Sequence, residues 1–424
     1  MLTQAPKGTK DILPGDIHKW NFVERVFREI CELRGFAEIR TPVFEYTELF
    51  SRGVGETTDI VQKQMYSFDD YDGRGLTLRP EGTASVARAF LEHKLYAAPQ
   101  PSKFAYEISC YRHERQQKGR QREFHQFGVE YFGSADMLAD AEVIALAADF
   151  FAALGVRGVE LRVNSIGCPA CRGGHREALR AFLSPKRAEL CDTCKARFDR
   201  NPMRILDCKS PVCGELVRGA PSMLDYLCDA CKEDFAALKR NLEALGIAFE
   251  VDAGIVRGLD YYTKTAFEFV SNAIGAQGTV CGGGRYDHLI EELGGPPTPG
   301  VGFGLGIERL LLLMEAEGVA VPPAKGADAY IAFLGEDAKL AGLELLRRLR
   351  AAGLRAEMDG PARSLKGQLK RADRLSARFA VVIGEEEIAA NAALLKDMVS
   401  GEQRRVARDE ILSAIAADFR ERKE

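Results

Sequence analysis

The chain lacks a surplus of positive charge. Its 424 residues include 58 Lys and Arg against 62 Asp and Glu, which gives a formal net charge of −4. No overall basic field marks it as a nucleic-acid binder, so any site for a polyanion has to be a local patch. Gly (41) and Pro (17) are near average usage and show no G-X-Y period, which excludes collagen-like and low-complexity classes.

Long apolar runs are also absent. Charged residues such as Glu142, Asp149, Glu308 and Arg309 interrupt the longest candidates before they reach the length of about 18 residues that a membrane span needs. The N-terminal stretch MLTQAPKGTKDILPG has no apolar segment behind its lysines, so no signal peptide is readable. We therefore expect a cytoplasmic protein without a membrane partner.

Two common nucleotide-binding motifs are missing. The chain has no Gly-Lys dipeptide, which excludes the GxxxxGK[ST] phosphate loop, and it has no GxGxxG. Instead, PGVGFGLGIERL places four glycines with a period of two over 300–306, on one face of a predicted strand. A bare strand face allows a flat ligand, or another backbone, to lie closely against the sheet. Arg309, in the first turn of the helix expected next, favours a ligand over simple helix packing.

The predicted elements change in character along the chain. The first part has a helix over 16–34 with Asp16 as its N-cap, short strands at 36–40 and 43–46 around Pro42, a hairpin over 103–132 with its turn at Gly119, and a helix over 139–154. A cysteine-rich stretch then interrupts the pattern and predicts an inserted small domain. The last hundred residues alternate strand 329–334, helix 336–352, strand 354–358, helix 363–378 and strand 379–383, which predicts a separate α/β domain after a linker at 319–326.

The predicted hairpin carries the strongest chemistry. Strand alternation would place Arg112 and Glu114 on one face, and Gln126, Gly128 and Glu130 on one face of the partner strand. Together they would offer a guanidinium, two carboxylates and an amide around a small gap. Arginine suits a phosphate because its planar fork donates two parallel hydrogen bonds. A solvated charged hairpin is the alternative interpretation.

Eight of the eleven cysteines are clustered and include three C-x-x-C pairs. They are Cys168, Cys171, Cys191, Cys194, Cys208, Cys213, Cys228 and Cys231. A disulfide framework is not expected in a reducing compartment, which leaves metal binding or burial as free thiols. Two tetrahedral Cys₄ zinc sites would use all eight.

Taken together, several stretches resemble the class II aminoacyl-tRNA synthetases, and specifically the bacterial histidyl-tRNA synthetase family. GFAEIRTPVFEYTELF at 35–50, YRHERQQKGRQREFHQFGVEYFG at 111–133 and GVGFGLGIERL at 300–310 resemble the three class II motifs, the first of which lies at the dimer interface. VRGLDYYTKTAFEF at 256–269 and GTVCGGGRYDHL at 278–289 resemble the two histidine-specific signatures, with Gly282 where the family often has alanine. The resemblance covers nearly the whole chain.

The resemblance implies a role for each matching residue. Glu81, Thr83 and Gln126 would hold the α-amino end of histidine, Glu130 and Tyr262 would hydrogen-bond its imidazole, and Tyr261 and Tyr286 would complete the pocket. Arg112 and Arg309 would bind the phosphates of ATP, Glu114 its adenine side, and Arg257 would stabilise the α-phosphate, which makes these three arginines the implied catalytic residues. A histidine substrate fits opposed polar partners, because each of its two ring nitrogens needs one.

The implied fold is α/β, with an antiparallel class II sheet flanked by helices. Its parts would be a catalytic core over 1–165 and 241–322, a cysteine-rich insertion over 166–240, and a mixed α/β anticodon-binding domain over 327–424. The implied enzyme is a homodimer that uses ATP with Mg²⁺ to form histidyl-adenylate and then charges the 3′ end of histidine tRNA. The family is not generally taken to need zinc, which weighs against the metal interpretation of the cysteines.

Other functions on the same fold are the competing hypotheses. Synthetase-like chains that regulate histidine biosynthesis bind histidine without charging tRNA, but typically lack the anticodon domain and lose catalytic positions. An amide or biotin-type ligase would lack the histidine signatures. Arg363, Lys366, Lys370, Arg374 and Arg378 recur every three or four residues as a basic stripe that suits a phosphate backbone, although a solvated helix face is the alternative.

Overall fold

The computed structural model describes residues 3–55, 58–208, 210–275, 278–360 and 364–421. The chain divides into two compact units, Met1–Pro322 and Pro323–Glu424. None of the helices in the described ranges combines the length and the apolar character that crossing a bilayer requires.

The first unit is built on two sheets. Its strands are β1 (Ala37–Glu38), β2 (Phe44–Tyr46), β3 (Tyr66–Asp69), β4 (Gly75–Leu78), β5 (Ser102–Tyr111), β6 (Glu123–Phe132), β7 (Glu160–Ser165), β8 (Glu250–Val251), β9 (Thr263–Val270), β10 (Thr279–Arg285) and β11 (Gly300–Gly306). The large sheet has the order β1-β5-β6-β11-β10-β9-β7-β8, and the small one the order β2-β4-β3. From β5 through to β7 neighbouring strands of the large sheet are antiparallel, as the class II resemblance implies.

Helices cover this sheet and extend the unit. They are α1 (Ile17–Leu33), α2 (Thr47–Val54), α3 (Thr83–Glu92), α4 (Met137–Leu154), α5 (Pro169–Leu183), α6 (Asp192–Arg200), α7 (Pro211–Leu216), α8 (Asp229–Ala244), α9 (Leu289–Glu292) and α10 (Ile307–Ala316). The predicted helices over 16–34 and 139–154 are confirmed as α1 and α4. Phe27 of α1 stacks on Phe127 of β6, with ring centroids 4.4 Å apart, and contacts Phe150 of α4 edge-on. These buried rings fix one face of the sheet and leave the other for the site.

The cap of α1 differs from the prediction. Asp16 does occupy the N-cap position, but its side chain accepts no hydrogen bond from a backbone amide of the first helical turn. It instead pairs with Lys19 at 3.3 Å. The cap of α4 does form, because the carboxylate of Asp136 accepts the amide N–H of Leu138 at 2.8 Å.

The glycine-rich strand lies where the sequence predicts it. Strand β11 pairs with β6 so that Gly302 faces Glu130, Gly304 faces Gly128 and Gly306 faces Gln126. The shared face of Gln126, Gly128 and Glu130 on β6 is therefore confirmed, as is the single glycine face of β11.

The hairpin prediction is right for the strands and wrong beyond them. Strand β5 ends at Tyr111, and the amide of Arg112 still donates to the carbonyl of Arg122 opposite it. The chain then turns away: the amide of His113 donates to the carbonyl of Gln64, and the amide of Glu114 donates to the carbonyl of Arg112. Arg112 and Glu114 therefore do not share a strand face. The turn itself is confirmed, since Gly119 adopts a positive φ of 74°.

The second unit has the alternating order predicted for it. Its elements are β12 (Ala329–Phe333), α11 (Glu336–Ala351), β13 (Ala356–Met358), α12 (Leu365–Arg374), β14 (Phe379–Ile383), α13 (Glu385–Ala389), β15 (Ala392–Asp397), β16 (Gln403–Ala407) and α14 (Ile411–Glu421). The sheet order is β13-β12-β14-β15-β16, in which β12 pairs in parallel with β13 and β14, and the last two pairings are antiparallel. Parallel pairing through crossover helices is what strand–helix alternation predicts.

The basic stripe is shorter than predicted. Lys366, Lys370 and Arg374 are exposed on α12, whereas the helix ends before Arg378, which forms an ion pair with Asp397. Arg363 lies outside the described residues. The exposed part of the stripe is therefore three cations on one helix.

Candidate active site

A cavity of about 390 Å³ opens on the glycine face of the large sheet. Of the eleven predicted site residues, nine line it: Glu81, Thr83, Arg112, Glu114, Gln126, Arg257, Tyr261, Tyr262 and Arg309. Glu130 and Tyr286 lie behind this lining, joined to each other by a hydrogen bond. The structure thus brings together residues that are up to 228 positions apart in sequence, from Glu81 to Arg309.

A larger cavity of about 680 Å³ lies beside Trp20, His125 and the outer side of α10. None of the eleven predicted site residues lines it. Size alone would therefore choose the wrong cavity, whereas the convergence of charged and phenolic side chains selects the smaller one.

Glu81 is held at the start of α3. Its two carboxylate oxygens accept the backbone N–H groups of Thr83, at 2.9 Å, and Ala84, at 2.8 Å. Burial raises the pKa of Glu81, although these amides oppose the shift. The hydroxyl of Tyr261 lies 3.5 Å from the same carboxylate. Glu81 therefore caps a helix and also presents a buried carboxylate to the cavity.

Glu130 is fully buried between two phenols. The hydroxyl of Tyr106 donates to its Oε1 at 2.9 Å, and the hydroxyl of Tyr286 donates to its Oε2. Burial raises the pKa of Glu130 to about 8, with a further rise from the charge of Glu81. Two glycines make room for this group: a Cβ at Gly128 would overlap the Tyr106 ring, and one at Gly302 would lie 2.6 Å from the Tyr286 hydroxyl.

Arg257 lies against Glu268 and Tyr262. Its Nη1 is 2.5 Å from Glu268 Oε1, and its guanidinium carbon is 5.3 Å from the centre of the Tyr262 ring. Burial alone would lower the pKa of Arg257, but its interactions with the Tyr262 hydroxyl and the Glu268 carboxylate more than offset this and raise it, so the side chain stays cationic. A Cβ at Gly282 would come within 2.7 Å of the guanidinium, so the glycine leaves space for it.

The other two arginines are positioned by backbone carbonyls. Arg112 donates from Nε to the carbonyl of Pro80 at 2.8 Å and lies over the Phe124 ring. Arg309, in the first turn of α10, donates to the carbonyls of Gly119 and Thr279. A carbonyl oxygen carries no net charge, so these contacts fix the direction of each guanidinium group and do not themselves cancel its charge.

Three residues of the site escaped the sequence prediction. Tyr106 faces Gly128 across the hairpin, and this pairing of an aromatic with a glycine in the hairpin register is a signal that could have identified it. Glu268 pairs with Arg257, but only the antiparallel pairing of β9 with β10 places it there. Arg120 pairs with Glu114 at 2.9 Å across the loop, a contact that no periodicity predicts.

The fold and this cavity define a class II aminoacyl-tRNA synthetase. The family model described as histidyl-tRNA synthetase matches residues 8–310, and the one described as anticodon binding domain matches residues 328–418. The chain therefore belongs to the histidyl-tRNA synthetase family. It is a ligase that activates histidine with ATP and joins it to tRNA.

Relatives agree along the whole chain. A histidine–tRNA ligase from Caldanaerobacter subterraneus subsp. tengcongensis is 55% identical over 98% of this chain and 100% of its own length, and one from Acetivibrio thermocellus is 52% identical over the same shares. The crystal structure of the Staphylococcus aureus histidyl-tRNA synthetase is similar with a TM-score of 0.83 and 39% identity, covering 97% of this chain and 99% of that one. A Bacillus halodurans structure described as an ATP phosphoribosyltransferase regulatory subunit/histidyl-tRNA synthetase shares the fold, at 24% identity and a TM-score of 0.65.

Proposed function

We propose that the cavity binds histidine and ATP together and forms histidyl-adenylate. The observation that carries the proposal is that one cavity is lined by four guanidinium groups and also by the buried carboxylate of Glu81, two side-chain amides and three phenols. The α-carboxylate of histidine attacks the α-phosphorus of ATP, and pyrophosphate leaves in line. Such a reaction needs positioning and charge neutralisation more than a protein nucleophile.

Three of these four arginines bind the phosphates of ATP. Arg112 and Arg309 hold the departing β- and γ-phosphates, and Glu114 lies on the adenine side. Arg257 faces the α-phosphate, where negative charge builds up in the transition state. Mg²⁺ arrives with ATP, and the carboxylates that line the cavity are the kind of oxygen ligand that it prefers.

The part of the cavity that binds histidine recognises it by hydrogen bonds. Glu81, Thr83 and Gln126 receive the α-ammonium group, since each offers an acceptor oxygen. Glu130 and Tyr262 contact the two ring nitrogens. Because its pKa is raised to about 8, Glu130 holds a proton near neutral pH, so it has an O–H donor and further acceptor capacity beyond its two bonds from phenols. If an analogue of similar shape lacks one of these nitrogens, a buried polar group of the site loses its hydrogen-bond partner. The site therefore rejects such an analogue strongly.

The test is ATP–pyrophosphate exchange with each of the twenty amino acids. We expect exchange with histidine alone, and a loss of about 10²–10³-fold in kcat for Arg257→Ala, the range seen when one transition-state donor is removed. The matched control is Arg162→Ala, which removes an arginine that pairs with carboxylates at the far edge of the same sheet. No exchange despite histidine binding by calorimetry would contradict the proposal and indicate a regulatory, sensing protein.

The second unit is proposed to bind the anticodon arm of histidine tRNA. Lys366, Lys370 and Arg374 provide three exposed cations on α12, and each phosphate contact should contribute about 0.7–0.9 to the slope of log K against log salt. Lys370→Ala should reduce that slope by nearly one such contact. Lys339→Ala, on α11 and paired with Glu336, is the control that should leave it unchanged.

The chain is proposed to act as a homodimer in the cytoplasm. The segment that resembles the first class II motif carries exposed apolar side chains at Phe44 and Tyr46 of β2, and Phe68 is exposed on β3 of the same small sheet. Exposed apolar groups close together mark protein contacts. Phe44→Lys should shift the sedimenting species towards the monomer, whereas Val399→Lys, at an exposed apolar position of the second unit, should not.

The finer division of the chain is also a proposal. Residues 1–165 and 241–322 form the two parts of the catalytic core, 166–240 the insertion, and 327–424 the anticodon-binding domain. The cysteines of the insertion offer ligands for a structural metal, a role separate from the Mg²⁺ that accompanies ATP.

A further inference from the structure

The eight clustered cysteines form two separate groups of four. The first is Cys168, Cys171, Cys228 and Cys231, and the second is Cys191, Cys194, Cys208 and Cys213. Within each group all four Sγ atoms lie within 4.8 Å of one another. Residues 57–63 positions apart meet in the first group, so the fold and not the local chain brings these thiols together.

The spacing of the sulfur atoms matches a metal centre and not a disulfide. Cys168 Sγ is 3.5 Å from Cys171 Sγ and 4.0 Å from Cys228 Sγ, and Cys191 Sγ is 3.8 Å from Cys208 Sγ. A disulfide requires about 2.05 Å. Four thiolates at about 2.3 Å from a zinc ion in a tetrahedron lie about 3.8 Å apart.

The local backbone is arranged around each group. Cys168, Cys191 and Cys228 occupy the N-cap positions of α5, α6 and α8, and each has its C-x-x-C partner in the following helical turn. The amide of Cys228 donates to Cys171 Sγ at 3.1 Å, and that of Cys191 donates to Cys213 Sγ at 3.3 Å. Amide donors to sulfur are the outer-shell contacts that orient and stabilise metal-bound thiolates.

Burial as ordinary core thiols explains these groups less well. Cys31 and Cys281 are core thiols, buried among apolar side chains. In the two groups, by contrast, Cys228 is exposed and Cys168, Cys191 and Cys208 are only partly buried. Apolar burial therefore does not account for four sulfurs converging on one point.

We infer that each group binds one zinc ion, in a closed four-cysteine site with a structural role. Four protein ligands leave no open position for water or substrate, so the sites are not catalytic. The first ion joins the N-terminal ends of α5 and α8, the two helices between which the rest of the insertion lies. The second joins α6 to Cys208 and to Cys213 of α7.

The second zinc site holds a segment that contacts the proposed histidine pocket. Between Cys194 and Cys208, Asn201 donates to Asp260 at 3.2 Å and Arg204 donates to the carbonyl of Gly258 at 3.0 Å. Asp260 and Gly258 belong to the loop that joins Arg257 to Tyr261 and Tyr262. Zinc at this site therefore keeps that loop in place from outside the cavity.

The first zinc site acts on the same loop from its other end. Arg172, next to Cys171, donates to the carbonyl of Tyr262 and, at 3.2 Å, to that of Ile166. This positioning role rests on the proposed function, since it matters only where Arg257 and Tyr262 bind substrate. The zinc sites themselves do not depend on it.

The test begins with the metal content of the full chain, purified without chelator from zinc-supplemented cells. We expect two equivalents of zinc per chain. Cys168→Ser and Cys208→Ser should each lose one equivalent, and Cys31→Ser, on α1, should retain both. Cobalt substituted for zinc should give the visible bands of a tetrahedral thiolate site.

A zinc content near zero, or cobalt spectra without thiolate charge-transfer bands, would overturn the proposal even if the variants fail to fold. Two equivalents retained in Cys208→Ser would overturn the second site alone. Hydrogen exchange over 257–262 tests the positioning role: protection should fall in Cys208→Ser and not in Cys31→Ser. If Cys208→Ser loses one zinc ion but protection over 257–262 is unchanged, the zinc sites are retained and their effect on the pocket is rejected. This conclusion holds whatever the variant's activity in ATP–pyrophosphate exchange.

Discussion

Two glycines on one strand face should differ strongly in how much stability each loses when it is replaced by alanine. At Gly302 an added Cβ would overlap the Val129 carbonyl oxygen and Glu130 Oε2, and it would lie only 2.6 Å from the Tyr286 hydroxyl. At Gly304, one pleat along, the nearest atom would be Gln126 Nε2, at an ordinary contact distance of 3.4 Å. Both belong to β11, so strand propensity is matched between them.

The expected magnitudes follow from these contacts. Overpacking costs about 1–3 kcal/mol, and loss of the hydrogen bond between Tyr286 and the protonated Glu130 adds about 0.5–1.5 kcal/mol. Gly302→Ala should thus lower the free energy of unfolding by about 1.5–4.5 kcal/mol, or roughly 2–7 °C in Tm. Gly304→Ala should stay within about 0.5 kcal/mol of the parent, because relief of glycine's backbone entropy offsets small adjustments.

The assay pairs thermal unfolding with steady-state pyrophosphate exchange. Gly304 lines the cavity, so its methyl group should raise the KM for histidine while Tm is unchanged. Gly302→Ala should lose stability as well as histidine affinity. Equal Tm losses in the two variants, or a Gly304→Ala enzyme with unaltered KM for both substrates, would refute the assignment of this bare face to ligand binding.

Two further predictions concern buried charges. Burial raises the pKa of Glu130 from 4.5 to about 8, so between these pH values the folded state keeps a proton that the unfolded chain releases. The free energy of unfolding should therefore be highest below about pH 4.5 and decline as the pH rises to about 8. Glu130→Gln should flatten this decline, measured by urea titrations at several pH values. Arg285 and Asp140 form a fully buried ion pair, so Arg285→Ala should lower the free energy of unfolding by about 3–5 kcal/mol in the same urea titrations. Arg88→Ala, which breaks the more exposed pair with Glu45, should lower it clearly less. A flat pH dependence in the parent, or similar losses in the two arginine variants, would contradict these assignments.

The sequence predicts the regular elements of the site well and its irregular ones poorly. A period of two places the glycines of β11 and the series Gln126, Gly128 and Glu130 correctly, because the pleat fixes which side chains share a face. The same rule fails for Arg112 and Glu114, since alternation holds only inside a ladder and the ladder ends at Tyr111. Both residues line the cavity through tertiary contacts that periodicity does not contain.

Partners that depend on the pairing of distant strands are the other gap. Glu268 meets Arg257 only through the β9–β10 register, which includes an irregularity at each end. A sequence pattern identifies the arginine as chemically useful, but it does not say which carboxylate holds it. The resemblance to a known family supplies the roles of the matching residues, and the structure supplies the neighbours that tune them.

The placement of the arginines explains how a chain with a net charge of −4 can receive a triphosphate. Arg112 donates to the backbone carbonyl of Pro80, which fixes its direction without cancelling its charge, so that charge is present for the proposed contact with ATP. Arg257 is instead paired with Glu268, so its field is partly cancelled in the resting enzyme. A cation that is already paired with a carboxylate contributes little to the binding of substrate in the ground state. It stabilises the transition state more, when negative charge builds up at the α-phosphate, and such an interaction raises kcat and does not merely lower KM. Arg257→Ala should therefore act chiefly on kcat, and Arg112→Ala chiefly on the KM for ATP.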